Sequence, residues 1–134
     1  MNFSKTTSYA MNVLNYMAEH PDTVCSASFL HEELDIPHQY LRSLLTNLSK
    51  SGFLKGTRGR EGGFILDKAI NEIFLADIID SIEGLDVFST CIMGFKACPF
   101  DNQCAMHETW METRDRIIDI LKNTSLAEFR EHKD

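Results

Sequence analysis

The chain has 134 residues, of which 43% are apolar, and this length and composition suffice for one domain with a hydrophobic core. No apolar run approaches the roughly 20 residues of a membrane span, and MNFSKTTSYA lacks the basic start and apolar block of a signal peptide, so we expect a cytoplasmic protein. The formal net charge of −7 argues, taken alone, against a partner as negative as DNA.

The charge is unevenly distributed along the chain. Residues 1–35 carry one Lys and five acidic residues, a net of −4, and residues 69–134 carry six basic and thirteen acidic residues, a net of −7. Residues 36–68 carry six Lys or Arg against two acidic residues, a net of +4. One basic segment in an acidic chain is expected if a single face of the protein meets a polyanion.

A long amphipathic helix is predicted first. From Ser4 to His20 the apolar residues recur at intervals of three and four, and Pro21 follows the helix. The apolar face consists of Tyr9, Ala10, Val13, Leu14, Met17 and Ala18. Ser26 can cap a second, shorter helix that runs to about Leu34.

A third helix is predicted after a tight turn at Asp35 and Ile36. Pro37 suits the first position of this helix, and Gly52 suits its C-terminal cap. The expected core face consists of Tyr40, Leu41, Leu44, Leu45 and Leu48. Two helices joined by so short a turn, the second of them basic, predict a helix-turn-helix.

Two short strand-like runs follow the third helix, Phe53–Thr57 and Phe64–Leu66. Between them the residues 58–63, RGREGG, predict a hairpin with a glycine-rich tip that carries arginine. Such a wing can place an arginine in the minor groove while the preceding helix lies in the major groove. The alternative is a plain surface hairpin with solvated charges, but the position directly after a basic helix-turn-helix favours the wing.

The second half of the chain predicts further helices. Apolar spacing from Leu75 to Ile82 predicts a fourth helix that ends at Gly84, and a long helix follows His107. The stripe of the long helix consists of Met106, Trp110, Thr113, Ile117 and Leu121, widened by Ile118 and Ile120. This spacing fits packing against a partner helix, and packing on its own domain is the alternative. Residues 125–128, SLAE, form a capping-box pattern that opens a last short helix.

The segment CIMGFKACPFDNQCAMH, residues 91–107, holds three of the four cysteines. Cytoplasmic thiols stay reduced, so the cluster indicates a metal or redox site before a disulfide. Cys91, Cys98, Cys104 and His107 can converge, and thiolate and imidazole ligands suit zinc or an iron–sulfur cluster. The spacing matches neither the commonest zinc pattern nor a ferredoxin, so both stay open, beside a redox thiol pair and unrelated cysteines. Cys25 lies outside this segment and is interpreted as a small buried residue.

Short motifs stand in a distinctive order along the chain. They are Ser4-Lys5, Tyr9-Ala10, Ile36, Tyr40-Leu41, Gly52-Phe53-Leu54, Arg58-Gly59, Gly62-Gly63, Ile82-Glu83-Gly84, the three clustered cysteines, and His107 to Trp110. Over essentially the whole chain this order resembles the IscR/NsrR/RirA-type family of winged-helix iron–sulfur transcriptional regulators.

The resemblance implies a bacterial homodimer whose long helices cross and which binds a palindromic DNA operator. It implies an iron–sulfur cluster held by Cys91, Cys98 and Cys104, with [2Fe–2S] favoured over [4Fe–4S] and zinc as the alternative. We expect His107 to be the fourth ligand, because Ser8 stands where another branch of the family has an acidic ligand. Iron–sulfur status, oxygen, nitric oxide or redox stress is the expected signal. The alternative function is a cluster-free winged-helix regulator that uses the cysteines for structural zinc or thiol redox sensing.

The DNA contacts are expected from the third helix and the wing. Gln39, Arg42 and Ser43 lie on the polar side of the helix near its N-terminal half, where base edges are reached. Arg58 is the expected minor-groove residue. Lys50, Lys55 and Arg60 suit phosphates, with solvated surface charge as the alternative for the lysines.

The expected fold is mainly α with a small β-hairpin wing, a winged helix-turn-helix followed by a long C-terminal dimerisation helix. We expect a DNA-binding domain over residues 1–84, a cluster-binding loop over 85–107, and a dimerisation helix with its tail over 108–134. The sequence contains no glycine-rich phosphate loop and no nucleophile elbow, so we do not expect an enzyme.

Overall fold

The computed structural model describes residues 3–88, 91, 93 and 104–131. The described elements are α1 (Lys5–Glu19), α2 (Ala27–Leu34), α3 (His38–Lys50), β1 (Leu54–Thr57), β2 (Gly63–Leu66), α4 (Leu75–Ile82), α5 (His107–Asn123) and α6 (Leu126–Arg130), with 3-10 turns at Ile70–Glu72 and Leu85–Phe88. The prediction of a mainly helical fold with one β-hairpin and a long C-terminal helix is confirmed. None of the helices in this described part is long and apolar enough to cross a membrane.

Helix α1 forms as its apolar spacing predicts. The Oγ of Ser4 accepts a hydrogen bond from the backbone N–H of Thr7 at 3.2 Å and so caps the first turn. The fully buried residues of its face are Ala10, Val13, Leu14 and Met17, while Tyr9 and Ala18 are only partly buried at its edges. The helix therefore supplies one wall of the core.

Helices α2 and α3 form the predicted helix-turn-helix. The Oγ of Ser26 accepts a hydrogen bond from the N–H of Phe29 at 3.1 Å, which caps α2. Asp35 adopts the left-handed conformation, with φ of 54°, and turns the chain into α3. Pro37 lies one residue before the helix, at the N-cap and not at its first position, because its ψ of 133° is extended.

The core face of α3 is confirmed except at one residue. Leu41, Leu44, Leu45 and Leu48 are buried, but Tyr40 is 46% exposed. Its ring contacts that of Tyr9 on α1, with 5.9 Å between the centroids, so Tyr40 covers the edge of the interface instead of entering the core. The helix ends at Lys50 with Ser51 as its C-cap, and Gly52 follows with φ of 87°, which glycine adopts without strain.

The hairpin pairs β1 with β2 in antiparallel register, from Leu54 opposite Leu66 to Thr57 opposite Gly63. The backbone of Cys25 adds a short bridge to the outer side of β2, because Cys25 and Phe64 exchange two hydrogen bonds of 3.0 and 2.8 Å. A Cβ atom on Gly63 would lie only 2.6 Å from the carbonyl oxygen of Cys25. Glycine at this position therefore permits the close approach of the two chains.

The C-terminal part returns to the core beside α4. The N–H of Leu75 donates to the carbonyl of Thr124 at 3.0 Å, and the N–H of Leu126 donates to that of Ile73 at 2.7 Å. Leu126 is fully buried. The Oγ of Ser125 caps α6 by accepting from the N–H of Glu128 at 3.1 Å, as the capping pattern predicts. The end of α5 is thus attached to the chain on both sides of the start of α4.

Candidate nucleic-acid interface and cysteine segment

The polar side of α3 is open to solvent. Gln39, Arg42, Ser43 and Lys50 are all exposed, opposite the buried leucines of the same helix. The two salt bridges found among the described residues involve Arg114 and Arg130, so none neutralises a basic side chain of α3. The helix therefore presents positive charge and hydrogen-bonding groups together, as a surface that contacts DNA requires.

The wing extends this basic surface. Lys55, Arg58 and Arg60 are exposed, and Gly59 between the two arginines has φ of 111°, which only glycine adopts readily. The N–H of Gly62 donates to the carbonyl of Gly59 at 3.0 Å and closes the tip. Two glycines therefore shape a narrow turn that leaves both arginines in solvent.

The hairpin is attached directly to the end of α3. The N–H of Phe53 donates to the carbonyl of Leu48 at 3.1 Å, and Phe53 and Leu54 are buried where β1 packs against α3. The seven residues predicted to contact DNA are thus distributed over two elements that pack together. All seven are exposed to solvent.

The cysteine segment is described only at its two ends. Cys91 is partly buried, and its Sγ accepts a hydrogen bond from the N–H of Met93 at 3.4 Å. Cys104 is partly buried and precedes α5, and the N–H of His107 donates to its carbonyl at 3.1 Å, which places Cys104 and His107 on one helical turn. The predicted ligand Cys98 lies outside the described residues. Within residues 3–88, 91, 93 and 104–131, no group of three His, Cys, Asp or Glu side chains could hold a metal ion.

Cys25 does not share these properties. It is fully buried, as predicted, and burial raises the pKa of its thiol. A buried thiol that stays protonated is a poor metal ligand and a poor nucleophile. Cys25 is therefore a structural residue, at the position where its backbone bonds β2.

The chain that leads into the cysteine segment is bonded to the start of α1. Glu83, just after α4, accepts three hydrogen bonds at one carboxylate oxygen, from Ser4 N–H at 2.9 Å, Ser4 Oγ at 2.7 Å and Thr7 Oγ1 at 2.5 Å. Partial burial raises the pKa of Glu83, but these hydrogen bonds outweigh burial and hold it below its ordinary value. The rings of Phe3 and Phe88 also meet, with centroids 5.9 Å apart. The chain that precedes the cysteine segment is thus fixed to the start of α1.

Three polar residues at the turn of the helix-turn-helix were not predicted. The Nε2 of His38 lies 3.2 Å from the Oγ of Ser28, and the Nδ1 of His31 lies 2.7 Å from the carbonyl oxygen of Ile36. Ser28 and His31 are exposed, and His38 is partly buried. Their sequence signal is only a pair of histidines seven positions apart, which becomes meaningful once the turn brings α2 and α3 together.

Comparison with known proteins identifies the family to which this fold and basic face belong. The profile of the Rrf2 family, described as "Iron-dependent Transcriptional regulator", matches residues 3–132. The chain belongs to the Rrf2 family. The predicted resemblance is thereby confirmed, since proteins named IscR are among its relatives. The Rrf2 assignment makes the protein a DNA-binding transcriptional regulator.

Individual Rrf2-type relatives extend the comparison. A putative HTH-type transcriptional regulator of Aquifex aeolicus is 32% identical over 130 residues, which cover 96% of this chain and 90% of the relative. The regulator IscR of Pectobacterium carotovorum is 32% identical over 105 residues, 78% of this chain, and the match spans only 63% of that protein's length. The oxidised form of CymR from Staphylococcus aureus has a TM-score of 0.78 and 26% identity, covering 100% of this chain and 99% of CymR.

Proposed function

We propose that this protein is a homodimeric regulator of the bacterial cytoplasm that binds a palindromic operator under the control of an iron–sulfur cluster. The observation that carries the proposal is the exposed basic face of α3 and the wing, whose charges no described salt bridge neutralises. This face occurs in a chain with a formal net charge of −7. Electrostatic attraction therefore favours the approach of DNA to that face alone.

Each part of the face has its own role in this proposal. Gln39, Arg42 and Ser43 contact base edges in the major groove, because residues near the N-terminal end of a recognition helix reach them. Arg42 suits guanine, to which arginine donates two hydrogen bonds. Arg58 enters the minor groove from the wing. The remaining basic residues, Lys50, Lys55 and Arg60, bind phosphates and fix the register.

A second copy of the chain completes the DNA-binding unit. Helix α5 is 17 residues long, yet Trp110 is its only buried side chain in the described structure. Ile120 is 54% exposed, and Ile117, Ile118 and Leu121 are partly buried. An apolar stripe at such spacing suits packing against the same helix of a partner. The dimer then presents two recognition helices to the two halves of a palindrome.

The cysteine segment is the proposed sensor. Cys91, Cys98 and Cys104 supply thiolates, and His107 supplies an imidazole, a donor set that fits an iron–sulfur cluster, with [2Fe–2S] favoured, or zinc. The N–H donated by Met93 to Cys91 Sγ supports this, because such bonds stabilise a ligating thiolate. The turn that joins Cys104 to His107 supports it as well. When bound, a cluster would supply a reversible change in charge and ligation.

The chain's own residues can transmit that change. His107 begins α5, and the Glu83 contacts hold the chain before the segment to α1. If oxygen, nitric oxide or iron scarcity removed the cluster, both ends of the cysteine segment would be released. The spacing of the two recognition helices would change as a result.

A cluster-free regulator is the second candidate. The observation in its favour is the close fold match to an oxidised form of CymR, at 26% identity over the full chain. In this case the clustered cysteines respond to oxidants as thiols or hold structural zinc. The same DNA-binding face serves both candidates.

Spectroscopy combined with DNA selection tests the proposal. Protein purified without oxygen is expected to be brown, to contain iron and sulfide in equal amounts, and to select one palindromic duplex from a random pool. Exposure to air or nitric oxide should change its affinity for that duplex. Colourless protein with about one zinc per chain, or metal-free protein that does not reconstitute, would instead support the second candidate. Failure to bind any duplex would contradict both.

A further inference from the structure

Two histidines and a serine meet where α2 turns into α3. His31 lies in α2 and His38 is the first residue of α3, and their ring centroids are 5.8 Å apart with the planes 72° to each other. Ser28, the second residue of α2, lies 3.2 Å from the Nε2 of His38. We call Ser28, His31 and His38 the histidine cluster. The cluster links α2 to the first residue of α3.

The hydrogen bond of His31 determines which of its nitrogens holds the proton. A carbonyl oxygen can only accept, so the Nδ1 of His31 donates to the carbonyl of Ile36 at 2.7 Å. The other nitrogen, Nε2, has a lone pair in the neutral ring and becomes a second donor when the ring is protonated. His38 can keep its bond to Ser28 in either state, because a hydroxyl both donates and accepts. Protonation thus adds positive charge without breaking either contact.

No described ion pair occupies the imidazoles of the cluster. The acidic residues nearest in sequence are Glu32, Glu33 and Asp35, all exposed, and none forms a described ion pair with an imidazole. On α3, Arg42 follows His38 by one helical turn and adds positive charge.

Helix α1 packs against both α2 and α3, so its ionisable groups also matter. Lys5 and Glu19 are at its two ends, and Glu19 forms an ion pair with Arg130. Tyr9 contacts Tyr40, and Tyr16 contacts Phe29 and His20. None of these described contacts reaches the histidine cluster.

The position of the cluster indicates its ligand. In a helix-turn-helix the second helix enters the major groove by its N-terminal end, and the first helix crosses the phosphate backbone. The cluster lies where these two ends meet, next to Gln39. We propose that Ser28, His31 and His38 bind one backbone phosphate of the operator, more tightly when the imidazoles are protonated. This inference rests on the proposed DNA-binding function.

Proton uptake makes the contact dependent on pH. A phosphodiester is anionic at every relevant pH, so its contact with an imidazole favours the protonated ring. Histidine side chains change charge between about pH 5 and 8, and each proton taken up on binding raises affinity by up to about tenfold per pH unit of acidification. The operator should therefore bind more tightly at pH 6 than at pH 8.

The test measures affinity for the selected duplex at pH 6 and pH 8 and constant ionic strength. Wild-type protein is expected to bind about tenfold more tightly at pH 6. The double variant His31→Gln/His38→Gln should bind with nearly the same affinity at both values, because glutamine cannot be protonated. At pH 6 its affinity should also fall less steeply with salt, since fewer phosphates are neutralised.

His20→Gln is the matched control. His20 stacks on Tyr16, with 4.2 Å between ring centroids, and its Nδ1 lies 2.9 Å from the Tyr16 carbonyl oxygen, at the C-terminal end of α1 and without a described contact to the cluster. This variant should keep the full pH effect, and circular dichroism of each variant checks folding. The inference would be overturned if the wild type bound the duplex with equal affinity at pH 6 and pH 8, or if the double variant kept the tighter binding at pH 6. Either result would leave the proposed DNA binding intact. Absence of binding at either pH would overturn the proposed function and this inference together.

Discussion

Arg42 is the residue on which sequence recognition is proposed to depend most. It is exposed on α3, one turn from the N-terminal end of the helix. Arg42→Ala is expected to weaken operator binding by about 1 to 3 kcal/mol, or roughly 5- to 150-fold, because a bidentate contact with a base is lost. Binding to mismatched duplexes should fall much less, so specificity relaxes. Competition between the selected duplex and single-base variants measures both effects.

Arg116 provides the control for Arg42. It is an exposed arginine on α5, away from the recognition helix, so Arg116→Ala removes the same charge elsewhere. It should leave both affinity and base preference nearly unchanged. Equal affinity and equal base preference of the two variants would mean that α3 does not contact the bases.

Single residues show what a sequence can and cannot reveal. Burial of Cys25 and exposure of Arg58 follow from residue type and local pattern, and both are confirmed. Tyr40 was wrongly placed in the core, because the pattern identifies the apolar face of a helix but not where the neighbouring element ends. The histidine cluster was missed because contacts between α2 and α3 depend on the angle between these helices, which no local pattern contains.

At the level of elements, Glu83 connects the first helix to the fourth. Its carboxylate accepts three hydrogen bonds from Ser4 and Thr7, and these hold its pKa below the ordinary value. A depressed pKa in the folded state means that the ionised carboxylate stabilises the fold. This stabilisation is present above the unfolded pKa, near 4.5, and is lost as the pH falls through the lower folded value.

Glu83→Gln tests this connection. At pH 7 the variant should unfold a few degrees below the wild type, since weaker hydrogen bonds cost about 1 kcal/mol. The difference should shrink as the pH falls through the lowered pKa of folded Glu83, because the wild-type carboxyl then becomes protonated as well. Thermal unfolding at a series of pH values measures the effect.

The control for Glu83 is the exposed Glu72, in the turn before α4. Glu72→Gln should leave the melting temperature nearly unchanged at each pH. A Glu83 variant that melts like the wild type at pH 7 would show that the connection between α1 and α4 contributes nothing to stability.

Element boundaries were predictable where local chemistry determines them. Ser26 and Ser125 each cap a helix by accepting a backbone N–H, as their positions before apolar runs predict, and Ser4 caps α1 in the same way. The return of α6 to the core was not predictable, because the hydrogen bonds from Leu126 to Ile73 and from Leu75 to Thr124 join residues about 50 positions apart. The joining of Cys25 to β2 was likewise not anticipated, since an isolated bridge leaves no periodic pattern.

At the level of the whole molecule, the proposed dimer depends on α5. Ile120 is 54% exposed on this helix, and replacing it with glutamate would introduce a charge into the interface. Ile120→Glu is expected to convert the dimer into a monomer at micromolar concentration and to abolish operator binding, while the circular dichroism spectrum stays helical. Sedimentation and light scattering measure the mass.

Lys122→Glu is the control for this prediction. Lys122 is exposed two positions further on, about 200° around the helix from Ile120, so its side chain points away from that of Ile120. Its variant should remain dimeric although it carries the larger change in charge. If Ile120→Glu also remains a dimer, α5 is not the interface.

Gly63 has a consequence for how this chain can change over generations. A side chain at this position would meet the carbonyl oxygen and the carbonyl carbon of residue 25 and the backbone nitrogen of Ser26, at 2.6 to 2.8 Å. Every one of these atoms belongs to the main chain, which all amino acids have in common. No substitution at position 25 or 26 can therefore make room, and a defect at Gly63 can be repaired by reversion but not by a second change in the residues it touches.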